Sequence, residues 1–113
     1  MSNQEVAFEI LSSATEDWHA LWEIVSTCER ILSGADKEAV EEVVRQEVLR
    51  LIAEGLVYLC EFTPQANECA PYSATEAEVV LNDPRTWQLP TSHTHPRVGA
   101  TDAGMSEYFG ESH

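Results

Sequence analysis

The stretch Val48–Phe62, VLRLIAEGLVYLCEF, changes its hydrophobic period at a single glycine. Up to Glu54 the apolar residues recur every three to four positions, the period of a helix buried along one face. After Gly55 they close into a run rich in Val, Tyr and Phe, which suits a pleated, half-buried surface. A glycine at this point reads as a helix C-terminus, because it takes the left-handed conformation at little cost. The chain must therefore pass from helix to strand with almost no loop, so both elements have to share one core.

The segments before this junction carry helical stripes. NQEVAFEILSSA places Val6, Ala7, Ile10, Leu11 and Ala14 on one side. Thr15 and Asp17 can each cap a second helix, DWHALWEIVSTCERIL, whose stripe runs Trp18, Leu21, Trp22, Val25, Cys28 and Leu32 before Ser33-Gly34 stops it. Asp36 then caps a third helix, KEAVEEVVRQEVLRLIAE. Its buried stripe is Val40, Val43, Val44, Val48, Leu51 and Ile52, with Glu38, Glu41, Glu42, Arg45 and Glu54 facing outward. Beyond Thr63-Pro64 comes a polar loop, QANECAPY, and then a short helix to Leu81 opened by a Ser73/Glu76 capping box. RTWQLPTSHTHP reads as irregular, RVGAT as a last strand and DAGMSEYF as a final helical turn or two.

This order, and the phrase LRLIAEGLVYL in particular, resembles the winged helix-turn-helix family. DWHALWEIV falls where that family has a small first strand and a second helix. RVGATDAGMSEYF is similar to its returning wing strand, which leads through Thr-x-x-Gly into another helix. The resemblance implies an α+β domain: three helices, a two-stranded β-wing interrupted by an extra short helix, and a short C-terminal helix. It implies one domain over residues 1–113, with a helical core and first wing strand (1–63), a wing insertion (64–95) and a returning strand with a C-terminal turn (96–113). It also makes 36–54 the recognition helix and homodimerisation a family habit. The chain departs from the family in its long insertion and in its charge.

Twenty acidic residues stand against six basic ones, a net −14. No Lys or Arg precedes Arg30, and none lies between Arg50 and Arg85. DNA affinity rests on Lys and Arg at phosphates. Residues 36–54 hold six acids against Lys37, Arg45 and Arg50. Two unit charges about 8 Å apart interact by about 0.5 kcal/mol in water, so a handful of misplaced acids offsets the nonspecific attraction. The reading placed first is a non-catalytic module that binds a basic protein partner, with Glu38, Glu41, Glu42, Arg45 and Trp87 as contact residues. Its alternative is a DNA-binding regulator that uses Arg45 and Arg50.

Catalytic and metal signals are thin. His93 and His95 form an H-x-H pair without the further ligands a zinc site needs. His19 beside Asp17 has no activated nucleophile in sight. No glycine-rich phosphate loop and no G-x-S-x-G occur. Neither an enzyme, a cofactor nor a metal is expected. Three cysteines without a CxxC point to reduced thiols and a cytoplasmic protein, with Cys28 and Cys60 buried and Cys69 exposed; a loop closed by Cys60 and Cys69 is the alternative set second. No apolar run approaches the about 20 residues needed to span a bilayer. Trp18 and Trp22 are expected in the core. Trp87 either pins the excursion to the domain or stands out as a partner anchor, and Leu89, Tyr72, Tyr108 and Phe109 are expected beside it.

Overall fold

The computed structural model describes residues 3–63, 65–87 and 95–110. Among them are five α-helices and one four-stranded antiparallel sheet. The elements are α1 (Asn3–Glu16), β1 (His19–Ala20), α2 (Leu21–Ile31), α3 (Lys37–Ala53), β2 (Val57–Thr63), β3 (Glu68–Pro71), α4 (Ala74–Leu81), β4 (His95–Ala100) and α5 (Asp102–Phe109), with a 3₁₀ turn at Pro84–Trp87. The strand order is β1-β4-β2-β3. This is a mixed α+β domain, but its strands do not form an isolated two-stranded wing. The segment read as a polar loop supplies β3, and β1 pairs with β4 through His19↔Val98 and Ala20↔Arg97. Two residues of β1 are too few to show a period, and β3 lacks the alternation that marks a strand.

The core forms where the helical stripes meet the inner face of the sheet. Val6, Ile10, Leu21, Ile24, Cys28, Val40, Val44, Val48, Leu59, Leu81 and Val98 are all fully buried. In β2 and β4 the pleat sends Val57, Leu59 and Val98 inward, while Tyr58, Cys60, Phe62, Arg97 and Gly99 share the outer face. Trp18 lies on that outer face, not in the helical core, because α2 begins at Leu21 rather than at Asp17. Asp17 instead accepts the Trp18 backbone N–H at 2.7 Å, and Glu23 accepts that of Ala20 at 3.0 Å. The Trp18 indole donates to the Tyr58 hydroxyl at 2.8 Å. Both rings crowd Gly99, where a Cβ would lie 2.6 Å from the Tyr58 ring. Arg97 stacks 4.0 Å from the Phe62 centroid and donates to the Trp18 carbonyl at 3.1 Å. Trp22 is only half-buried, so neither of these tryptophans is the core anchor expected of it.

The helix–strand junction is built as its glycine implies. α3 starts at Asp36, whose carboxylate accepts the Ala39 N–H at 2.8 Å, and ends at Gly55 with φ +76°. The returning chain locks onto this corner. Thr101 donates its backbone N–H to Leu56 O at 3.1 Å and its hydroxyl to Gly55 O at 2.6 Å. The same hydroxyl caps α5 by accepting from Gly104 N at 3.0 Å. Gly104 is buried against Leu56 and Leu11, so the first turn of α5 sits directly on the junction.

The cysteines overturn the expectation of reduced thiols. Cys60 and Cys69 form a disulfide between β2 and β3, with Cα atoms 5.3 Å apart. The hairpin register explains the bond: Phe62↔Cys69 and Cys60↔Pro71 put both cysteines on the outer face of the sheet in diagonal positions. Cys69 is therefore half-buried and bonded, not exposed and free. Cys28 is buried as expected, and its thiol is pushed up to about 11, chiefly by burial and also by Glu9. No helix among the described residues is long and apolar enough to cross a membrane.

Candidate functional site

The five residues named as partner contacts lie along one groove. Glu38, Glu41, Glu42 and Arg45 project from the first turns of α3, and Leu81, Asn82, Pro84 and Trp87 close the other side. The groove is open and shallow, about 200 Å³. Its far wall owes its shape to local sequence chemistry. Ser73 and Glu76 satisfy each other's backbone N–H groups and start α4, at 3.1 and 3.0 Å. These contacts, first the Ser73 backbone N–H and then its hydroxyl, hold the Glu76 carboxyl below its usual range. The helix stops at Asn82, and the 3₁₀ turn beginning at Pro84 folds the chain back.

Trp87 is the floor of the groove and not an exposed anchor. It is 7% exposed, and its indole donates to Leu81 O at 3.0 Å. Thr86 adds a hydroxyl bond to Val80 O at 2.6 Å. Trp87 therefore pins the excursion to the domain, but not with the aromatic neighbours expected. Tyr108 lies against Phe8 on α1 at 5.3 Å, and Phe109 packs on Tyr108 at 5.0 Å. Tyr72 touches the core and donates to Glu61 at 3.2 Å. Leu89 and His93 lie outside the described residues, as does the side chain of His95, whose backbone pairs with Phe62.

The electrostatics of α3 are dominated by its own pairs. Arg45 is ion-paired to Glu42 and donates to Asn82 Oδ1 at 2.9 Å, so it ties the two walls together. Arg50 donates through Nε and Nη2 to Glu47 Oε1, at 3.0 and 2.8 Å, and is also paired with Glu54. Hydrogen bonding to Glu47, more than any other influence, raises the Arg50 guanidinium above its ordinary value. Lys37 remains exposed at the helix start, beside a second groove of about 270 Å³ lined by Trp22, Val25, Ser26, Glu29 and Trp87. Arg85, at the end of the first groove, is held by Asp83 at 2.9 Å, and this bond keeps the Asp83 carboxyl below its usual range.

Two side-chain roles on and around α3 could not be read from sequence. Asn82 looked only like a helix stop, yet its side chain accepts from Arg45. Glu47, outside the groove, falls between the buried and outward stripes, yet it is only 7% exposed and is paired with Arg50. Among the described residues no three His, Cys, Asp or Glu side chains come together in a metal-binding arrangement. Comparison with known protein families, with curated proteins and with solved structures gave no match.

Proposed function

We propose that this chain is a non-catalytic protein-interaction module on a winged-helix-type scaffold, and that the groove between α3 and α4 receives a basic segment of a partner protein. The observation that carries this reading is the pairing pattern on α3. Arg45 and Arg50, the two guanidiniums a DNA reader would spend on phosphates and base edges, are each taken up by carboxylates of the same helix. Freeing them for phosphate would leave Glu42, Glu47 and Glu54 unpaired and close to the DNA backbone, which adds repulsion to the lost pairs. Glu38 and Glu41 add two further carboxylates to the groove wall. A chain of net −14 also steers a basic partner in from a distance, more strongly at low salt.

The test is a titration of a labelled Lys/Ser peptide, devoid of apolar residues, run beside a gel shift with generic duplex DNA at low salt. The peptide is expected to bind and to lose about tenfold in affinity with Glu38→Gln and Glu41→Gln together, while the duplex is not retarded. Retardation of the duplex that disappears in the Arg45→Ala, Arg50→Ala double variant would overturn the reading and establish DNA binding instead.

A further inference from the structure

Of the four large apolar side chains exposed among the described residues, three fall on two helices that touch: Phe8 on α1, and Met105 and Phe109 on α5. Phe8 and Phe109 are each 59% exposed. Tyr108 joins them, its ring 5.3 Å from Phe8 and 5.0 Å from Phe109. Its hydroxyl lies 3.1 Å from Ser12 Oγ, which fixes α5 against α1 and holds the ridge in place. Met105 stands one helical turn before Phe109 on the same face of α5. On the other side of Phe8 an open groove of about 490 Å³ runs between α1 and the end of α2, lined by Gln4, Glu5, Phe8, Glu9 and Ile31. The ridge and its groove share no residue with the groove between α3 and α4.

The two helices that build the ridge carry charge of one sign, while Arg30 at the end of α2 is the base beside the groove. α1 and α5 together carry Glu5, Glu9, Glu16, Asp102 and Glu107, and neither helix contains a Lys or Arg. We infer that the ridge and groove dock an amphipathic helix of another protein, with apolar side chains along one face and Lys or Arg flanking them. Its apolar positions at i, i+3 or i+4 and i+7 would meet Phe109, Phe8 and the groove beside Ile31, and its basic flanks would meet Glu5, Glu9 and Glu107.

Charge and area both argue against a second copy of this chain as the occupant. A twofold contact presents the same patch from both sides, so Glu5, Glu9 and Glu107 of one copy would face those of the other. The two rings and the methionine expose about 300 Å² of apolar surface, far short of the about 800 Å² per partner that a stable dimer buries. That area suits the few anchor residues of one helix.

The probe is a synthetic 18-residue helix of leucine and lysine with the leucines on one face, and a control of identical composition with its leucines spread around the helix. With the full chain, titration calorimetry is expected to show at least tenfold tighter binding of the amphipathic peptide than of the control. Phe8→Ser with Phe109→Ser should remove that preference, and Glu38→Gln with Glu41→Gln should leave it intact, which separates this surface from the α3–α4 groove. Amide shifts in the wild-type protein, which need no variant, should map onto Phe8, Ile31, Met105 and Phe109. Equal binding of both peptides, or shifts centred on α3 and α4, would overturn the inference. So would a wild-type dimer in sedimentation that the double serine variant turns into a monomer, since the occupant would then be a second copy.

Discussion

Replacing Gly104 with Ala sets helix propensity against packing, and the two predict opposite signs. Gly104 sits in the third position of α5, where alanine is favoured by about 1 kcal/mol over glycine on propensity alone. The structure leaves that alanine no space. Its Cβ would overlap the Leu56 carbonyl oxygen outright, and would also lie 3.0 Å from the Leu56 carbonyl carbon and 3.3 Å from Leu11 Cδ1. The oxygen is backbone at the α3–β2 corner and already accepts the Thr101 N–H, so it cannot swing away. α5 has to retreat by about 1 Å to restore van der Waals separation. That movement weakens the Thr101 cap, worth about 1 kcal/mol, and adds overpacking strain of about 1–3 kcal/mol. The expected balance is a loss of about 2 kcal/mol, or about 8 °C in Tm for a domain of this size. Urea denaturation and thermal melts followed by circular dichroism measure it. The ridge should respond as well, because Tyr108 travels with α5 and its contact with Ser12 is lost. An unchanged or raised melting temperature would refute the packing argument and show that α5 does not depend on its seat at the junction.

Two further outcomes follow from the covalent and ionisable groups. The Cys60–Cys69 bond closes a loop of nine residues' separation, so Cys60→Ser with Cys69→Ser should cost about 2.5 kcal/mol in denaturant titrations; the intact chain should also resist alkylation at both positions until a dithiol is added. At high pH, Cys28 is pushed up to about 11, mainly by burial, and Tyr72 to about 12, by burial and then by Glu61. Both groups have folded values above their unfolded ones, so their contribution is complete below the unfolded values and is lost as pH rises through the folded ones. Stability should therefore fall between about pH 9 and 12, and Tyr72→Phe should flatten the upper part of that fall when Tm is followed against pH.

What was legible in the sequence was whatever depends on a period or a cap. The α1 stripe, the Asp36 and Ser73 caps, and the stop at Gly55 needed only neighbours three or four residues apart, and each stands in the structure. Of what depends on pairing across the chain, only the β2–β4 pair and a small strand ahead of α2 were implied, through the resemblance. β3 is four residues long and mostly exposed, and only its register with β2 makes it a strand. The disulfide follows from that register; the sequence offered Cys60–Cys69 only as the alternative to reduced thiols, because the register that favours it was not visible. Trp18 fits the helical stripe by spacing, yet the chain uses His19 and Ala20 to pair with β4 and delays the helix by one turn. The five proposed contact residues were named from charge and position. That they line one groove depends on α4 packing against α3, a contact between segments more than thirty residues apart.

The binding capacity of α3 is set by its ion pairs rather than by its place in the fold. A helix leading through glycine into a strand creates a projecting element, but the element recognises only what its free side chains allow. Here the outward turn from Glu38 to Arg45 presents three carboxylates and one guanidinium already shared between Glu42 and Asn82. The following turns present Arg50 already held by Glu47 and Glu54. Neutralising Glu47 and Glu54 would expose Arg50, and neutralising Glu42 would loosen Arg45 from the α4 wall. A shift toward nucleic acid would thus need several substitutions together, whereas the proposed binding of a basic segment would use the carboxylates as they stand. Under the two proposals, the acidic groove and the apolar ridge would favour the same kind of partner on different faces, one that brings positive charge, with apolar anchors where Phe8 and Phe109 stand exposed.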